Sequence, residues 1–565
     1  MEKTTDKNPT EKALILAVLI NATPFFHGLL HAYNIFALSV VLILLLFYIA
    51  HKNGLHITAH KVLLGPSILF LGAIIAAFST TSHGLAIWGC FKLINCGLYI
   101  LLLIQCSTEE RNYALNLLPT VASITTVFCC LFYPILSMRH RFFNDGRLWG
   151  FFEYCNAFAL YLMIALFILL YKEYQKKHQL TYYIQILILF IGILWTGARF
   201  ILLLTLFGLF LFALTHKSAR LPLCIAVVAG FAGILAAFFI GIGSHNITRI
   251  LSIVSTPRSL LERFVFWRDG WKLLLMHPLG LGYKGYAMAI YSIQSGHYVT
   301  QYVHNDWLQI AIDHGILGFI GFSIFYIMGF RYLQGRERLI FVLIGLCMCM
   351  EFCLQFYWVV LLLLTLFNWN ERSQVVCKRW VKMITTTAAF VLLFTNTWFA
   401  LASWAQHIGK YASATTLYPW NWQAQMEYVP YLMGDLETIP YTSARILEQN
   451  PYNSTAEIAM AKYYARQNDY PKALDYGWSA IKHNRFDTSY YDSLVQYCSD
   501  AISYYTTQGD TSTAQTYIQE LGKIASYMSN VDQSRDHLAC VAEDNYKPLS
   551  FNIISQNILS EYGIE

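Results

Sequence analysis

Residues 304–330 read HNDWLQIAIDHGILGFIGFSIFYIMGF, and this stretch decides the fold class. From residue 308 onward 23 residues are predominantly apolar, and about 20 suffice to cross a bilayer as a helix. Comparable runs precede it at 13–30, 35–50, 62–78, 86–104, 113–136, 151–171, 181–196, 201–214 and 222–242, and others follow at 339–367 and 383–402. Composition agrees: of 565 residues 56% are hydrophobic and only 13% charged, with a mean hydropathy of +0.44. A soluble domain carries about 25% charged residues, so a soluble enzyme, a disordered chain and a nucleic-acid binder are all excluded. The thirteen cysteines lie mostly in or beside the apolar runs, where they behave as small hydrophobes rather than as a disulfide framework. The expectation is an all-α, polytopic membrane protein whose first segment is not a cleaved signal peptide.

Lys and Arg set the orientation of such a chain. Basic clusters at the N-terminus and at 51–61, 172–177, 216–220, 331–338 and 372–382 all reach the cytoplasm if 339–367 crosses twice as a tight hairpin. That gives 12–13 spans, a membrane domain over 1–403 with a large outer loop at 243–307, and an outer C-terminal domain over 404–565. Several arginines then fall on the outer side against the rule: the 139–147 segment, Arg199, and Arg249, Arg258, Arg263 and Arg268 in the loop. Either they bind lipid phosphates or they form a site.

The C-terminal part is polar and helical in period. Its run 450–484, NPYNSTAEIAMAKYYARQNDYPKALDYGWSAIKHN, resembles a tetratricopeptide repeat, with Ala461, Tyr464, Ala473 and Ala480 at packing positions and Gly477 where an aromatic is usual. One such unit cannot bury its own apolar face, so an α-solenoid of about three repeats is expected.

No P-loop, dinucleotide fingerprint, HExxH, zinc-spaced Cys/His set or paired acidic motif is present, so no metal and no cofactor are expected. The residues with chemistry to offer cluster in 258–319. Residues 258–276 alternate charge with Leu, Phe and Trp, as a helix at a membrane surface or one packed against loops would. HPLGLGYKG at 277–285 forces an irregular turn that admits close backbone approach. His304 then stands at the outer end of a span: by itself an interfacial anchor, but in company a general base. That company is Arg263, Arg199 in TGARF (196–200) and Arg147 ahead of GFFEYCN. Guanidinium forks suit bidentate phosphate binding, so a lipid diphosphate and a proton to remove are the natural reading.

Taken together, Arg263, HPLGLG and HNDWLQIAIDHGILG resemble the O-antigen ligase and O-antigen polymerase superfamily. His304, Asn305, Leu308, Asp313, Gly315 and Gly318 match its HNxxL-acid-GxxG motif position by position. Arg147, Gly150 and Asn156 match its Arg–Gly–Asn signature, and Arg199 its Ser-Arg turn, with Ala198 in place of Ser. The resemblance covers about 120–367 and implies a membrane glycosyltransferase of the bacterial cytoplasmic membrane. It would move a glycan from undecaprenyl diphosphate to an acceptor hydroxyl at the outer face, without metal or covalent intermediate. It assigns His304 as catalytic base and Arg199, Arg263 and Arg147 to the donor diphosphate. Asn305, Glu153 and Asp313 are supporting residues, whereas Glu351, at the tip of the 339–367 hairpin, is expected to face outer water without a role. The acceptor would be lipid A-core (a ligase), a second lipid-linked glycan (a polymerase) or a protein hydroxyl, and the C-terminal repeats would recruit a protein partner. A lipid or solute transporter is the reading from another class.

Overall fold

The computed structural model describes residues 9–58, 60–173, 180–217, 220–239, 258–369, 379–432, 437–542 and 548–564. The expected basic segment 172–177, most of 372–382, Arg249 and the start of the outer loop therefore lie largely or wholly outside the described residues. Apart from a two-residue ribbon, regular structure among the described residues is helical. Among the described residues six helices are long and apolar enough to cross a membrane: Ala32–Lys52, Lys61–Ser79, His83–Ile104, Thr108–Leu131, Asp306–Tyr332 and Thr386–His407. Cys155–Tyr171, Leu180–Trp195 and Arg199–Thr215 are shorter apolar helices. Val18, Phe78, Leu131 and Phe394 are exposed, as lipid-facing side chains are. The chain is a multi-pass, all-α membrane protein.

Two expected spans are broken. The first helix stops at Ala22 after 12 residues, about 18 Å of rise against a hydrocarbon core of about 30 Å. Pro24 opens a short turn in its place, and His27, Gly28 and Leu29 all take left-handed φ. The 339–367 hairpin is likewise two half-helices, Gly335–Cys347 and Tyr357–Thr365, of 13 and 9 residues. Neither spans a bilayer alone. Their junction lies inside the protein, and the expectation that Glu351 faces water fails: the residue is 3% exposed.

The Asp306–Tyr332 helix is also interrupted, at Gly315 (φ 71°, ψ 179°). The 277–285 loop fills the gap. Leu281 N donates to Ile312 O (2.8 Å), Gly282 N to Asp313 O (2.9 Å) and Ile316 N to Pro278 O (3.0 Å). A Cβ on Gly280 would sit 2.6 Å from Gly315 N, so this backbone pairing requires glycine. Beyond the break, Gly318 and Gly321 meet Gly72 and Gly65 of the neighbouring helix at backbone distance, the small-residue contact that draws helices together in lipid.

The Arg258–Met276 helix packs one face against the neighbouring loops and leaves apolar side chains exposed on the other. Val265 and Leu273 are buried, and Asp269 is wholly buried, accepting from Ser295 N, Ser295 Oγ and Tyr298 OH, each at 2.8 Å. Trp271, Leu275 and Met276 are exposed on the other face.

Successive C-terminal helices, Thr438–Gln449, Ser454–Arg466, Tyr470–His483, Thr488–Thr507 and Thr511–Gln533, pack each on the next. Ala461, Ala473 and Ala480 are fully buried, and Tyr464 stacks on Tyr476 at 5.6 Å. Gly477 leaves room for Leu494 of the following helix, which a Cβ would strike. This part shares a core with the membrane helices: Tyr418 and Trp422 join Phe36, Trp88 and Phe399. Tyr418 OH donates to Gly84 O (2.9 Å) and Trp422 Nε1 to Ser82 Oγ (3.1 Å).

Candidate functional site

Each arginine of the expected site is placed by a specific local device. Arg147 sits on the ribbon Phe143–Asn144/Arg147–Leu148, turned by Asp145 and Gly146, both at positive φ. An Asp-Gly pair at the two central turn positions favours this tight hairpin. Its Nε donates to Thr196 O (2.8 Å), tying the ribbon to the turn from which Arg199 starts a helix. Arg263 projects from the Arg258–Met276 helix. Ser259 on the same helix links the last two: its Oγ accepts from Arg199 Nη2 (2.7 Å) and its carbonyl from Arg263 Nη1 (2.7 Å).

The buried centre of the group is Glu351. Its Oε1 accepts from Arg263 Nη2 (2.5 Å) and from Asn156 Nδ2 (2.7 Å), and its Oε2 from Tyr154 OH (2.8 Å). Asn156 Oδ1 in turn accepts from Arg147 Nη2 (3.3 Å). Arg263 Nε donates to Met350 O (2.7 Å), fastening the helix to the junction of the two half-helices. Burial works against the Arg263 charge, but Glu351 outweighs it and raises the guanidinium above its ordinary pKa. Arg147 and Arg199 have no carboxylate partner among the described residues; their hydrogen bonds go to neutral oxygens. Both charges thus remain available to an anion, and those of Arg147 and Arg263 both act on Arg199.

His304 borders this group. Its ring lies between Phe266 and Phe352, and its Nδ1 is 3.8 Å from Glu351 Oε2. That is too long for a hydrogen bond, and Nδ1 is buried without a hydrogen-bond partner. The backbone is held at φ 52°, a conformation that persists only where its surroundings impose it. Those surroundings are visible: Trp267 Nε1 donates to His304 O (3.2 Å) and Val303 N to Gln309 Oε1 (3.1 Å), while Gln309 Nε2 donates to Asp313 Oδ1 (3.1 Å). Asp306 N donates to Met348 O (2.8 Å), and Leu354 N to Asp306 Oδ2 (2.9 Å). The loop end bearing His304 and the junction bearing Glu351 are therefore stitched together.

The fold thus brings His304, Arg147, Arg199 and Arg263 together, while the side chains of the three supporting residues make other contacts. Asn305 does not hold the imidazole: its Oδ1 caps the Asp306–Tyr332 helix by accepting from Leu308 N (3.0 Å). Asp313 does not meet the arginines: its Oδ1 accepts from Gln309 Nε2 and its carbonyl from Gly282 N. Glu153 points away from the arginines, its Oε1 3.2 Å from His27 Nδ1 and its side chain 48% exposed. Sequence reasoning missed Glu351, Tyr154 and Ser259. An acid within an apolar run is by default functional, and that signal at Glu351 was set aside for a water-facing tip.

Asp313 and Lys92 also line a cavity of about 570 Å³ among Phe70, Leu93, Phe322 and Leu363, with Asp306 and Leu354 in its wall.

No curated protein and no solved structure matches the chain. Residues 184–323, about a quarter of the chain, match the family described as O-antigen ligase. The matched segment contains Arg199, Arg263, His304, Asn305 and Asp313 but stops short of Glu351 and begins after Arg147. In that segment the chain is similar to O-antigen ligases.

Proposed function

We propose that the protein is a membrane glycosyltransferase of the O-antigen ligase kind, moving a glycan from undecaprenyl diphosphate to an acceptor hydroxyl at the outer face of the bacterial cytoplasmic membrane. The observation that carries this reading is one hydrogen-bonded group in which Arg263 pairs with the buried Glu351, Arg147 joins through Asn156 and Arg199 through Ser259, beside a His304 Nδ1 without a hydrogen-bond partner. The family match over 184–323 supports it. Arg147 and Arg199, lacking carboxylate partners, neutralise the donor diphosphate together with Arg263. His304 accepts the proton of the acceptor hydroxyl as its oxygen bonds to the anomeric carbon and the bond from that carbon to the diphosphate breaks. Glu351, beside Nδ1, stabilises the resulting imidazolium and keeps Arg263 aimed. Preorganised charge of this sort is the largest contribution to many rate enhancements. The isoprenoid chain of the donor lies in the apolar cavity, one wall of which belongs to the segments bearing His304 and Glu351. The C-terminal helices, read as tetratricopeptide-like, recruit an acceptor or assembly partner.

The test uses the purified full chain in lipid nanodiscs with undecaprenyl-diphosphate-linked glycan and candidate acceptors. The parent should release undecaprenyl diphosphate and yield glycosylated acceptor, and His304→Ala should abolish both while keeping its melting temperature. Transfer by His304→Ala at the parental rate would sink the proton-acceptor role, and movement of unchanged donor across vesicles would favour a transporter.

A further inference from the structure

Four side chains that the transfer reaction does not use meet beside the arginine group. His27 and His31 come from the turn that replaces the end of the first expected span, Glu153 from the segment preceding Cys155–Glu173, and His407 from the end of the Arg379–His407 helix. One ligand atom each of His27, His31 and Glu153 lie within 4.8 Å of one another. The His31 and His407 rings are 4.5 Å apart, and Tyr33 packs on both, at 5.5 and 4.8 Å.

Three observations set this cluster apart from an ordinary ion pair. First, His27 Nδ1 and His31 Nε2 are both buried without a hydrogen-bond partner. His27 Nδ1 stands 3.2 Å from Glu153 Oε1, near enough to feel its charge but out of line for a hydrogen bond. Buried nitrogens without a hydrogen bond are costly, and a ring nitrogen of each histidine stands within 4.8 Å of a Glu153 oxygen. Second, the backbone is bent to present them. His27, Gly28, Leu29 and Glu153 all have φ between 55° and 60°, and non-glycine residues hold that conformation only under tertiary constraint. Gly28 presses so closely on Phe152, the neighbour of Glu153, that a Cβ would overlap the ring. Third, the donors are chemically matched. Imidazole nitrogens and a single carboxylate oxygen suit zinc and its first-row neighbours, whereas calcium and magnesium require oxygen ligands. Lys284, another cation whose charge acts on His31, donates to Tyr302 OH (2.8 Å).

We propose that His27, His31 and Glu153 form a three-ligand transition-metal site of the zinc type, with water in the fourth position. The metal would clamp the 23–31 turn to Glu153. Because Tyr154, the next residue, donates to Glu351, the clamp would steady one edge of the arginine group without touching the reacting atoms. The site stands on its own residues and does not depend on the glycosyltransferase reading.

The experiment takes the tag-free full chain in nanodiscs, strips it with chelator, and titrates it with Zn²⁺, and with Co²⁺ as a spectroscopic probe. One zinc per chain should bind, Co²⁺ should show the intense visible bands of four-coordination, and zinc should raise the melting temperature of the parent. His31→Ala and Glu153→Gln should each weaken binding at least about tenfold, since even outer-shell changes reach that size. His83→Ala, an exposed histidine outside the cluster, should not. Equal zinc affinity in parent and Glu153→Gln, no stoichiometric zinc in the parent, or equal binding of Mg²⁺ would each overturn the proposal. Should His31→Ala fail to fold, the zinc-dependent melting shift of the parent against that of Glu153→Gln decides the question.

Discussion

Glu351 and Glu153 are two carboxylates at the ends of one short connection, since Glu153 adjoins the Tyr154 that donates to Glu351, yet their surroundings are opposite. The Glu351 side chain is 4% exposed and accepts from a guanidinium, an amide and a phenol. The Glu153 side chain is 48% exposed and faces imidazoles whose nitrogens are not satisfied. A saturated buried carboxylate holds other groups in place; an unsaturated half-exposed one among histidines has capacity left for a ligand. The local sequence Glu153-Tyr154 does not separate these roles. The left-handed φ of 56° at Glu153 does, by turning consecutive side chains to different clusters.

Breaking the saturated carboxylate should have the largest effect. Glu351→Ala leaves Arg263 buried without its counter-charge, and loss of one partner of a buried pair costs about 3–5 kcal/mol. Melting in nanodiscs should register that loss. The isosteric Glu351→Gln should keep more of the stability while lowering transfer by about 100-fold, the size of losing one preorganised electrostatic contact. A Glu351→Gln chain transferring at the parental rate would reduce Glu351 to a packing element.

Next in size is Arg263→Lys. The guanidinium reaches Met350 O, Ser259 O and Glu351 from three nitrogens, and an ammonium cannot reproduce that fork. A loss of about tenfold in transfer is expected, corresponding to about 1.4 kcal/mol, with a smaller one for Arg199→Lys, whose hydrogen bond goes to the Ser259 hydroxyl. Identical rates for both lysine variants and the parent would exclude bidentate recognition.

On the unsaturated side, Gly28→Ala sharpens the contrast. The substitution puts a Cβ into Phe152 at φ +60° and should destabilise the fold by about 1–3 kcal/mol. Zinc affinity should fall with it, because the turn that presents His27 must shift. An unaltered melting curve and unaltered zinc binding would show that the turn adapts freely.

The smallest effect belongs to an ion pair at the exposed limit, Arg268–Asp536 at 2.9 Å, which joins the Arg258–Met276 helix to the C-terminal helices. Burial pushes the Asp536 carboxyl up, but Arg268 and the Ala539 N–H pull it further down, below the ordinary carboxylate pKa. Its contribution is therefore complete above the unfolded pKa of about 3.9 and is lost as pH falls through the depressed folded value. Asp536→Asn should cost less than about 1 kcal/mol near neutrality, and parent and variant should converge in acid. A difference that instead grows on acidification would contradict the sign.

Much of this was legible in the chain. Apolar runs of 14–29 residues and a charge deficit specify a helical membrane protein because lipid offers the backbone no other partner. HPLGLG announced a close approach, which proved to be the backbone pairing that fills the break at Gly315. His304, Arg147, Arg199 and Arg263 stood out because charge is rare in such a chain. Length alone misreads 13–30, which has enough apolar residues for a span although Pro24 and the 27–29 turn end the helix first; 339–367, too short for two full spans, forms two short helices. Asn305 reads as a supporting residue beside His304, yet its side chain is first of all the cap of the helix that follows.

The sequence by itself determined the solvent in which this protein folds, the helical class, and the few charged residues from which a site could be built. Hydropathy and residue chemistry are local properties, additive along the chain. Only the tertiary structure decided which of those residues meet. Glu351 lies 88 residues from Arg263 and 195 from Asn156, and residues 27, 31, 153 and 407 have no common spacing. Pairings at such separations are fixed by helix packing and by backbone turns at single positive-φ residues, and neither leaves a periodic trace in the order of the amino acids.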